Sequence, residues 1–365
     1  MAQRTPRIAV IAGDGIGPEV IGQAVRVVDT VCRRFDRKVE LEHFDYGAER
    51  YLRDNVALPA GAIEQFRSEF DAILLGAVGD PRIPGNEHAR DILLALRFEL
   101  DLFANVRPVR LLDAELTPLK GRSAADIDFV VVRENTEGLY VNAGGVVHRG
   151  TPDEVAIQEE ITTCRGVERV TKFAFELARR QKRRRVTLCD KSNVLRYGHE
   201  LWQRVFREVA SRYPDLETDH YFVDTLAMVM VQNPGALDVV VTNNLFGDIL
   251  TDLGAALGGG IGLAASASLG SGRIGLFEPV HGSAPNIAGK GIANPFGAVL
   301  TVALLLDHLG WTSEAAAVES AVSRCVARRV TTPDLGGNAT TEQVGDALIA
   351  ELSEPMSGPK SGPRA

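Results

Sequence analysis

Arg97, Arg107 and Arg133 stand in otherwise apolar segments, each close to the end of an expected strand or helix. Brought to one cleft, their planar guanidinium forks would clamp a substrate with two carboxylates, because each fork can bind a carboxylate through two parallel hydrogen bonds. For any one of them the alternative is a surface ion pair. Asp248 and Asp252 lie four apart in Phe246-Gly-Asp-Ile-Leu-Thr-Asp252, at the start of an expected helix, and so share a face. Hard carboxylate oxygens placed this way suit Mg²⁺ or Mn²⁺, with a substrate hydroxyl, a carboxylate and waters completing an octahedron. The alternative is a pair of acids complementing the helix dipole. Lys191 and Asn193 follow an apolar strand, and Asp224 ends the strand Tyr221-Phe-Val. Polar groups at strand ends of an α/β sheet are frequent site residues. Gly13-Asp-Gly-Ile-Gly17 follows a strand and precedes a helix, but its G-x-G-x-G spacing departs from the dinucleotide fingerprint, and no acidic residue ends a clear second strand at the right distance.

Positioning these residues takes a particular set of elements. Short β-branched runs at 7–12, 39–45, 70–76, 128–133, 185–190, 217–223 and 237–242 read as strands. Between and after them, 18–34, 165–181, 196–211, 244–257, 295–309, 313–328 and 341–352 read as helices, Pro18 fitting a first turn. Alternation of this kind means α/β architecture. Residues 254–297 hold 12 of the 36 glycines, so the backbone there either cradles a nucleotide or turns between core elements. From Glu354 onward Pro, Ser, Gly and Lys replace apolar periodicity, which predicts a disordered, dispensable tail.

Composition narrows the class. With 365 residues, 45% hydrophobic and 24% charged, the chain can bury a sizeable core. No apolar stretch of about 18 residues predicts a membrane span, and no leader pattern precedes the first strand, so a cytoplasmic protein is expected. Cys32, Cys164, Cys189 and Cys325 are far apart and read as small buried hydrophobes in a reducing compartment rather than zinc ligands. A net charge of −8 argues against a nucleic-acid partner. The basic run from Arg179 to Arg185 reads as the solvated C-terminal end of a helix. A metal-dependent phosphoryl-transfer enzyme would use the acidic pair and the glycines, but no Gly-x-x-x-x-Gly-Lys-Ser/Thr loop is present.

Seven segments now combine: Gly13-Asp-Gly-Ile-Gly-Pro-Glu19, Leu96-Arg97, Asn105-Val-Arg-Pro108, Val132-Arg-Glu-Asn-Thr-Glu-Gly-Leu-Tyr140, Asp190-Lys-Ser-Asn193, Asn243-Asn-Leu-Phe-Gly-Asp-Ile-Leu-Thr-Asp252 and Glu278-Pro-Val-His-Gly-Ser-Ala-Pro285. In this order the chain resembles the isocitrate/isopropylmalate family of β-decarboxylating dehydrogenases. The resemblance implies a two-domain α/β fold, not a Rossmann fold, with a mixed sheet spanning both domains and a cleft between them. It implies a discontinuous nucleotide-binding first domain, 1–102 plus 259–365, and a second domain, 103–258, that makes a homodimer and lends Lys191 and Asp224 to the partner's site.

Carried over position by position, Arg97, Arg107 and Arg133 would bind substrate carboxylates, with Asn193 and Asp224 also in the substrate's surroundings. Asp248, Asp252 and the second subunit's Asp224 would hold Mg²⁺ or Mn²⁺. Lys191 would take the C2 hydroxyl proton as hydride leaves for the nicotinamide, and Tyr140 would protonate the enolate after CO₂ departs. Glu278, His281, Gly282, Ser283, Ala284, Asn286, Ile287 and Asn294 would hold the cofactor. NAD is expected, because NADP forms of the family usually have basic and aromatic residues where Asn286 and Ile287 stand; NAD forms commonly have Asp at 286, so discrimination against NADP should be weaker here. Leu93 and Leu94, three and four residues before Arg97, would pack an isopropyl group and make 3-isopropylmalate the expected 2-hydroxy diacid. Isocitrate enzymes put small polar residues on this helix and homoisocitrate enzymes often an arginine, to meet a third carboxylate, which Asp91 would repel if it faced the cleft. The segment 133–140 is closer to tartrate/malate and homoisocitrate enzymes, so D-malate, tartrate, isocitrate and homoisocitrate are the alternatives. A non-catalytic regulatory subunit is the alternative of another class, against which Lys191, Tyr140, Asp224, Asp248 and Asp252 all speak.

Overall fold

The hydrophobic runs become strands and helices in alternation. The computed structural model describes residues 4–353. In chain order the elements are β1 (Arg7–Gly13), α1 (Gly17–Arg34), β2 (Glu40–Phe44), α2 (Ala48–Asp54), α3 (Ala62–Glu69), β3 (Ala72–Ala77), α4 (Glu87–Glu99), β4 (Ala104–Arg110), β5 (Asp128–Glu134), β6 (Gly138–Val147), β7 (Val155–Ile161), α5 (Cys164–Arg180), β8 (Arg185–Asp190) and α6 (Arg196–Ala210). There follow β9 (Glu217–Phe222), α7 (Val223–Gln232), β10 (Val239–Thr242), α8 (Asn244–Leu257), β11 (Ala265–Leu269), β12 (Gly275–Pro279), α9 (Phe296–His308), α10 (Thr312–Ala327) and α11 (Thr341–Ser353).

All the strands and helices expected from periodicity form. Others escaped it, for physical reasons. β4 contains Pro108 and two arginines, an unpromising strand pattern; its pairing with β11 runs only from Ala104 to Val106, short of the proline. β11 is Ala-Ser-Ala-Ser-Leu and β12 begins and ends in Gly and Pro, so part of the glycine-rich segment is core sheet rather than turn or cradle. β6 and β7 form a separate two-stranded arm. β9 stops at Phe222, and Asp224 lies in the first turn of α7 rather than at a strand end. The expected disordered tail from Glu354 lies outside the described residues.

Ten strands make one mixed sheet in the order β2-β1-β3-β12-β11-β4-β5-β10-β8-β9. The five strands from 1–102 and 259–365 occupy one half and the five from 103–258 the other. They meet at an antiparallel seam where Ala267 faces Val106. β3 is buried along its whole length, as a parallel strand covered on both faces must be. One face is covered by α1, α5, α6, α9 and α10, whose apolar stripes (Val20, Ala24, Val27 and Val31 on α1) pack on Ile8, Val10, Val130 and Val132. The opposite face carries α4 over one half, through Ile92 and Leu96, and α8 over the other, through Leu250. Between those two helices the sheet is left open as a cleft.

Two readings of composition need correction. Cys189 and Cys325 are buried, their thiols pushed up by burial to about 12 and about 11, but Cys32 is half-buried and Cys164 is exposed as the first residue of α5. The basic run is not merely solvated: Arg179 pairs with Asp215, Arg183 with Asp128 at 2.6 Å, and Arg185 with Glu217 at 2.7 Å. Among the described residues no helix is long and apolar enough to cross a membrane. Phe277, fully buried on β12 near the centre of the sheet, tests the packing. Phe277→Ala is expected to cost about 3–5 kcal/mol in denaturant unfolding; a cost under about 1 kcal/mol would place this strand outside the core.

Candidate active site

Strand geometry brings the arginines together. On β4 and β5, Asn105 and Arg107 share a face by the two-residue period, and Arg133 stands opposite Asn105 in the antiparallel register. That face looks into the cleft, and Arg97 enters from α4. All three guanidiniums are buried, Arg133 to 1% exposure. Each is held by partners. Arg97 donates to Glu278 at 2.7 Å, Arg107 to Asn105 and Thr251 at 2.7 Å each, and Arg133 to Asn244 at 2.9 and 2.6 Å. Arg133 also pairs with Asp248, which lies 3.5 Å from Arg107. Burial, then repulsion from Arg97, lowers Arg107; burial, then Arg107 and Arg97, lowers Arg133 to about 10, still cationic at neutral pH.

Gly247 makes this contact possible, since a Cβ there would stand 2.6 Å from Arg133 Cβ and Cγ. Asn243 accepts the N–H of Phe246 at 3.0 Å and so caps the start of α8, the helix that carries Asp248. The Tyr140 hydroxyl donates to Asp248 at 2.6 Å, and the Arg133 guanidinium lies 5.0 Å from the centre of the Tyr140 ring. Burial pushes the Asp248 carboxyl up; Arg133, the Tyr140 hydrogen bond, Arg107 and Arg97 outweigh it and hold it below its ordinary value. Burial, then the bond to Asp248, raises the Tyr140 phenol, which keeps its proton at neutral pH.

The cleft has a volume of about 450 Å³. It unites Leu93, Leu94, Arg97, Arg107, Arg133, Tyr140, Asp248, Glu278, His281 and Gly282, all singled out in the sequence. Arg90 also lines it, while Asp91, 3.5 Å from the Arg90 guanidinium, faces a different groove, so the condition under which Asp91 would repel a third carboxylate is not met.

Other residues lie elsewhere. Asp252 is exposed one turn beyond Asp248. Lys191 and Asp224 pair with each other at 2.7 Å and do not line the cleft of their own chain; the lysine's hydrogen bond is the main cause holding Asp224 below its ordinary value. Asn193 is exposed in the turn after β8. Among the described residues no three His, Cys, Asp or Glu side chains converge as metal ligands.

Past the cleft, the chain from His281 to Asn294 runs over the N-terminus of α1. Ile16 N donates to Ser283 O at 2.9 Å, and Glu19 accepts Gly289 N at 2.6 Å. Gly15 is required there, because its φ is +55° and a Cβ would stand 2.0 Å from Ser283 O. Ala284 adopts a left-handed φ of +40°, Asn286 is exposed, and Ile287 is half-buried. Asn294 donates to Asp334 and accepts Phe296 N, both at 2.9 Å, at the start of α9. Burial lowers the His281 imidazole, whose Nε2 is buried without a partner.

Sequence reasoning missed Asn105, Asn244 and Thr251, which orient the arginines, although all three lie inside the quoted motifs. It also missed the use of Asp14: the carboxylate accepts the N–H of Ala48 at 2.6 Å and of Gly79 at 2.8 Å and lies 2.9 Å from His88 Nε2, tying three loops together. Glu278, expected beside the cofactor, is also the partner of Arg97.

A family model described as isocitrate/isopropylmalate dehydrogenase matches residues 7–348. The chain is 47% identical over 356 residues to a 3-isopropylmalate dehydrogenase of Thermobifida fusca, covering 97% of this chain and 99% of that protein. It is 49% identical over 349 residues to one of Frankia casuarinae, covering 95% and 99%. Its fold matches the crystal structure of isocitrate dehydrogenase from Methylococcus capsulatus with a TM-score of 0.87 at 36% identity, over 96% of this chain and all of that one.

Replacing Asp248 by Asn removes a negative neighbour and leaves the Tyr140 hydroxyl only a neutral, weaker acceptor, changes that favour the phenolate. Asp248→Asn is therefore expected to lower the pKa of Tyr140, read as the ultraviolet difference titration against Tyr140→Phe. An unchanged or higher value would show that Asp248 does not set this hydroxyl.

Proposed function

The chain belongs to the isocitrate/isopropylmalate dehydrogenase family, and from that premise we propose that it oxidises and decarboxylates 3-isopropylmalate to 4-methyl-2-oxopentanoate with NAD, a step of leucine biosynthesis. The observation that carries the substrate is the cleft itself, in which Leu93 and Leu94 lie one turn from Arg97 on α4, facing Arg107 and Arg133. The cations suit two carboxylates, and the leucines give an apolar wall to a branched alkyl group. Relatives bearing the name 3-isopropylmalate dehydrogenase at 47% and 49% identity support the same choice.

The donors fit the groups the reaction needs. Asp248 and Asp252 offer hard oxygens for Mg²⁺ or Mn²⁺, and Asp224 of a second copy would add the third carboxylate that one chain lacks. For NAD, the unpartnered His281 Nε2, the open space beside Gly282 and the left-handed Ala284 offer a cradle that continues through Ser283 to Asn286, Ile287 and Asn294. When bound, the cation acidifies the substrate hydroxyl and supports the charge released on loss of CO₂, and NAD accepts the hydride. The three arginines fix the substrate, with Glu278 orienting Arg97. Lys191 of the second copy takes the hydroxyl proton. Tyr140, kept protonated by burial and Asp248, gives its proton to the carbon left by CO₂. We assign 1–102 and 259–365 to the nucleotide-binding domain and 103–258 to the dimer-forming one.

A homodimer accounts for the apolar surface of the second domain. Val146, Val147, Val155, Ile157 and Ile161 on the β6–β7 arm, Met228 and Val231 on α7, and Ile249 on α8 are exposed. Such a surface on an otherwise well-packed protein supports a contact with a second copy there. One observation favours a second reading: Arg90 at the mouth would attract a third carboxylate, as in homoisocitrate.

The deciding assay is NADH formation with Mg²⁺ or Mn²⁺, comparing kcat/KM for 3-isopropylmalate, D-malate, tartrate, isocitrate and homoisocitrate. 3-Isopropylmalate is expected to lead, with NAD preferred over NADP and the preference sharpened by Asn286→Asp. Leu93→Ala should reduce kcat/KM for 3-isopropylmalate roughly tenfold or more while sparing D-malate. A lead for homoisocitrate that Arg90→Leu abolishes would transfer the assignment to the second reading.

A further inference from the structure

Lys191 owes its place to a backbone hydrogen bond from outside its own turn. The turn after β8 folds back on the Lys191 carbonyl, which accepts Val194 N at 3.0 Å and Leu195 N at 2.9 Å. The Lys191 N–H points the other way and donates to Nδ1 of His199 at 2.9 Å. His199 lies on α6 with 0% exposure, its ring centre 5.5 Å from that of Phe246. An amide can only donate, so Nδ1 is the unprotonated nitrogen and the proton of the neutral ring lies on Nε2. Nε2 faces Glu160 Oε1, on β7, at 3.5 Å, and Asn243 Nδ2 at the same distance; with Nδ1 occupied by the amide, the acceptor among them for the Nε2 proton is the carboxylate. That same oxygen accepts Asn243 Nδ2 at 2.8 Å, and Asn243 in turn starts α8. The contact with His199 is the largest influence holding the Glu160 carboxyl below its ordinary value, so an anion faces the Nε2 proton.

We propose that His199 is the positioning residue of Lys191: its Nδ1 anchors the lysine's backbone, and Glu160, from the arm, fixes the tautomer that leaves Nδ1 free to accept. The functional consequence rests on Lys191 being the proton acceptor. Because Glu160 also holds the residue that starts α8, one carboxylate sets both Asp248 and Lys191, which under the dimer reading serve different active sites.

Two substitutions separate the nitrogens. In His199→Asn the amide oxygen falls near the site of Nδ1 and keeps the acceptor. In His199→Gln the longer side chain reaches the site of Nε2 and leaves the Lys191 N–H without one. Hydrogen exchange, followed by mass spectrometry on the peptide containing Lys191, should speed up in His199→Gln and stay near wild type in His199→Asn. The kcat for 3-isopropylmalate should fall roughly tenfold or more in His199→Gln, since a small displacement of a reacting group is costly. KM for substrate and NAD should hardly move, and His199→Asn should retain most of the activity. Equal exchange in both variants, or equal kcat with equal melting temperature, would overturn the proposal. If His199→Gln does not fold, Glu160→Leu is read by the same exchange: faster exchange at Lys191 supports the anchor and wild-type exchange overturns it. A wild-type protein that does not turn over 3-isopropylmalate would sink the functional reading alone, because the exchange experiment still decides the anchor.

Discussion

Three positive charges buried side by side are the constraint around which the rest of the molecule is arranged. Removing one guanidinium from water costs several kcal/mol even after relaxation, and like charges add repulsion. Arg107 and Arg133 both show this strain as lowered pKa values. The chain offsets it with two carboxylates, Glu278 on Arg97 and Asp248 on Arg133, and with neutral acceptors at Asn105, Asn244 and Thr251. Two acids against three arginines leave an unbalanced positive potential in a partly dry cleft. A substrate carrying two carboxylates relieves that potential, and an apolar molecule of the same size does not.

Holding such charges at close range demands a stiff frame. The antiparallel seam supplies it by hydrogen-bonding strands from distant parts of the chain into one sheet, so that β11 and β12 support β4 and β5. Only one face of that sheet is fully covered. Covering the other with α4 on one half and α8 on the other leaves a gap between helices, and the arginines fill its floor. Gly247 and Asn243 are small choices with large consequences: the first lets α8 lie against the stem of Arg133, the second caps the start of the helix that carries Asp248.

The same frame separates tasks. The apolar wall of the cleft, Leu93 and Leu94, sits on α4, and the groups assigned to proton and metal chemistry sit on α8, β6, α7 and the turn after β8. The fold is shared with an isocitrate dehydrogenase and with relatives named for 3-isopropylmalate, so one frame is compatible with different names in the family. Arg90 at the mouth lies on the α4 side of that division.

By itself the sequence determined the α/β class, because a period of two and a period of 3.6 alternate along it and no neighbour in space can erase that pattern. It also named the charged residues on the floor of the cleft, Arg97, Arg107, Arg133 and Asp248, since arginines and acids inside apolar runs are costly unless something uses them. It could not reveal β4, β11 or β12: Pro108, alternating alanine and serine, and flanking glycines carry little strand signal, and those strands exist because neighbours on both sides complete their ladders. Nor could it tell that Arg90 rather than Asp91 faces the cleft, or that His199 holds Lys191. A rotation of about 100° per residue separates neighbours on a helix, and only packing fixes which one points inward. Hydrogen bonds between residues remote in sequence, such as that from Arg97 to Glu278, leave no local trace and were decided by the tertiary structure alone.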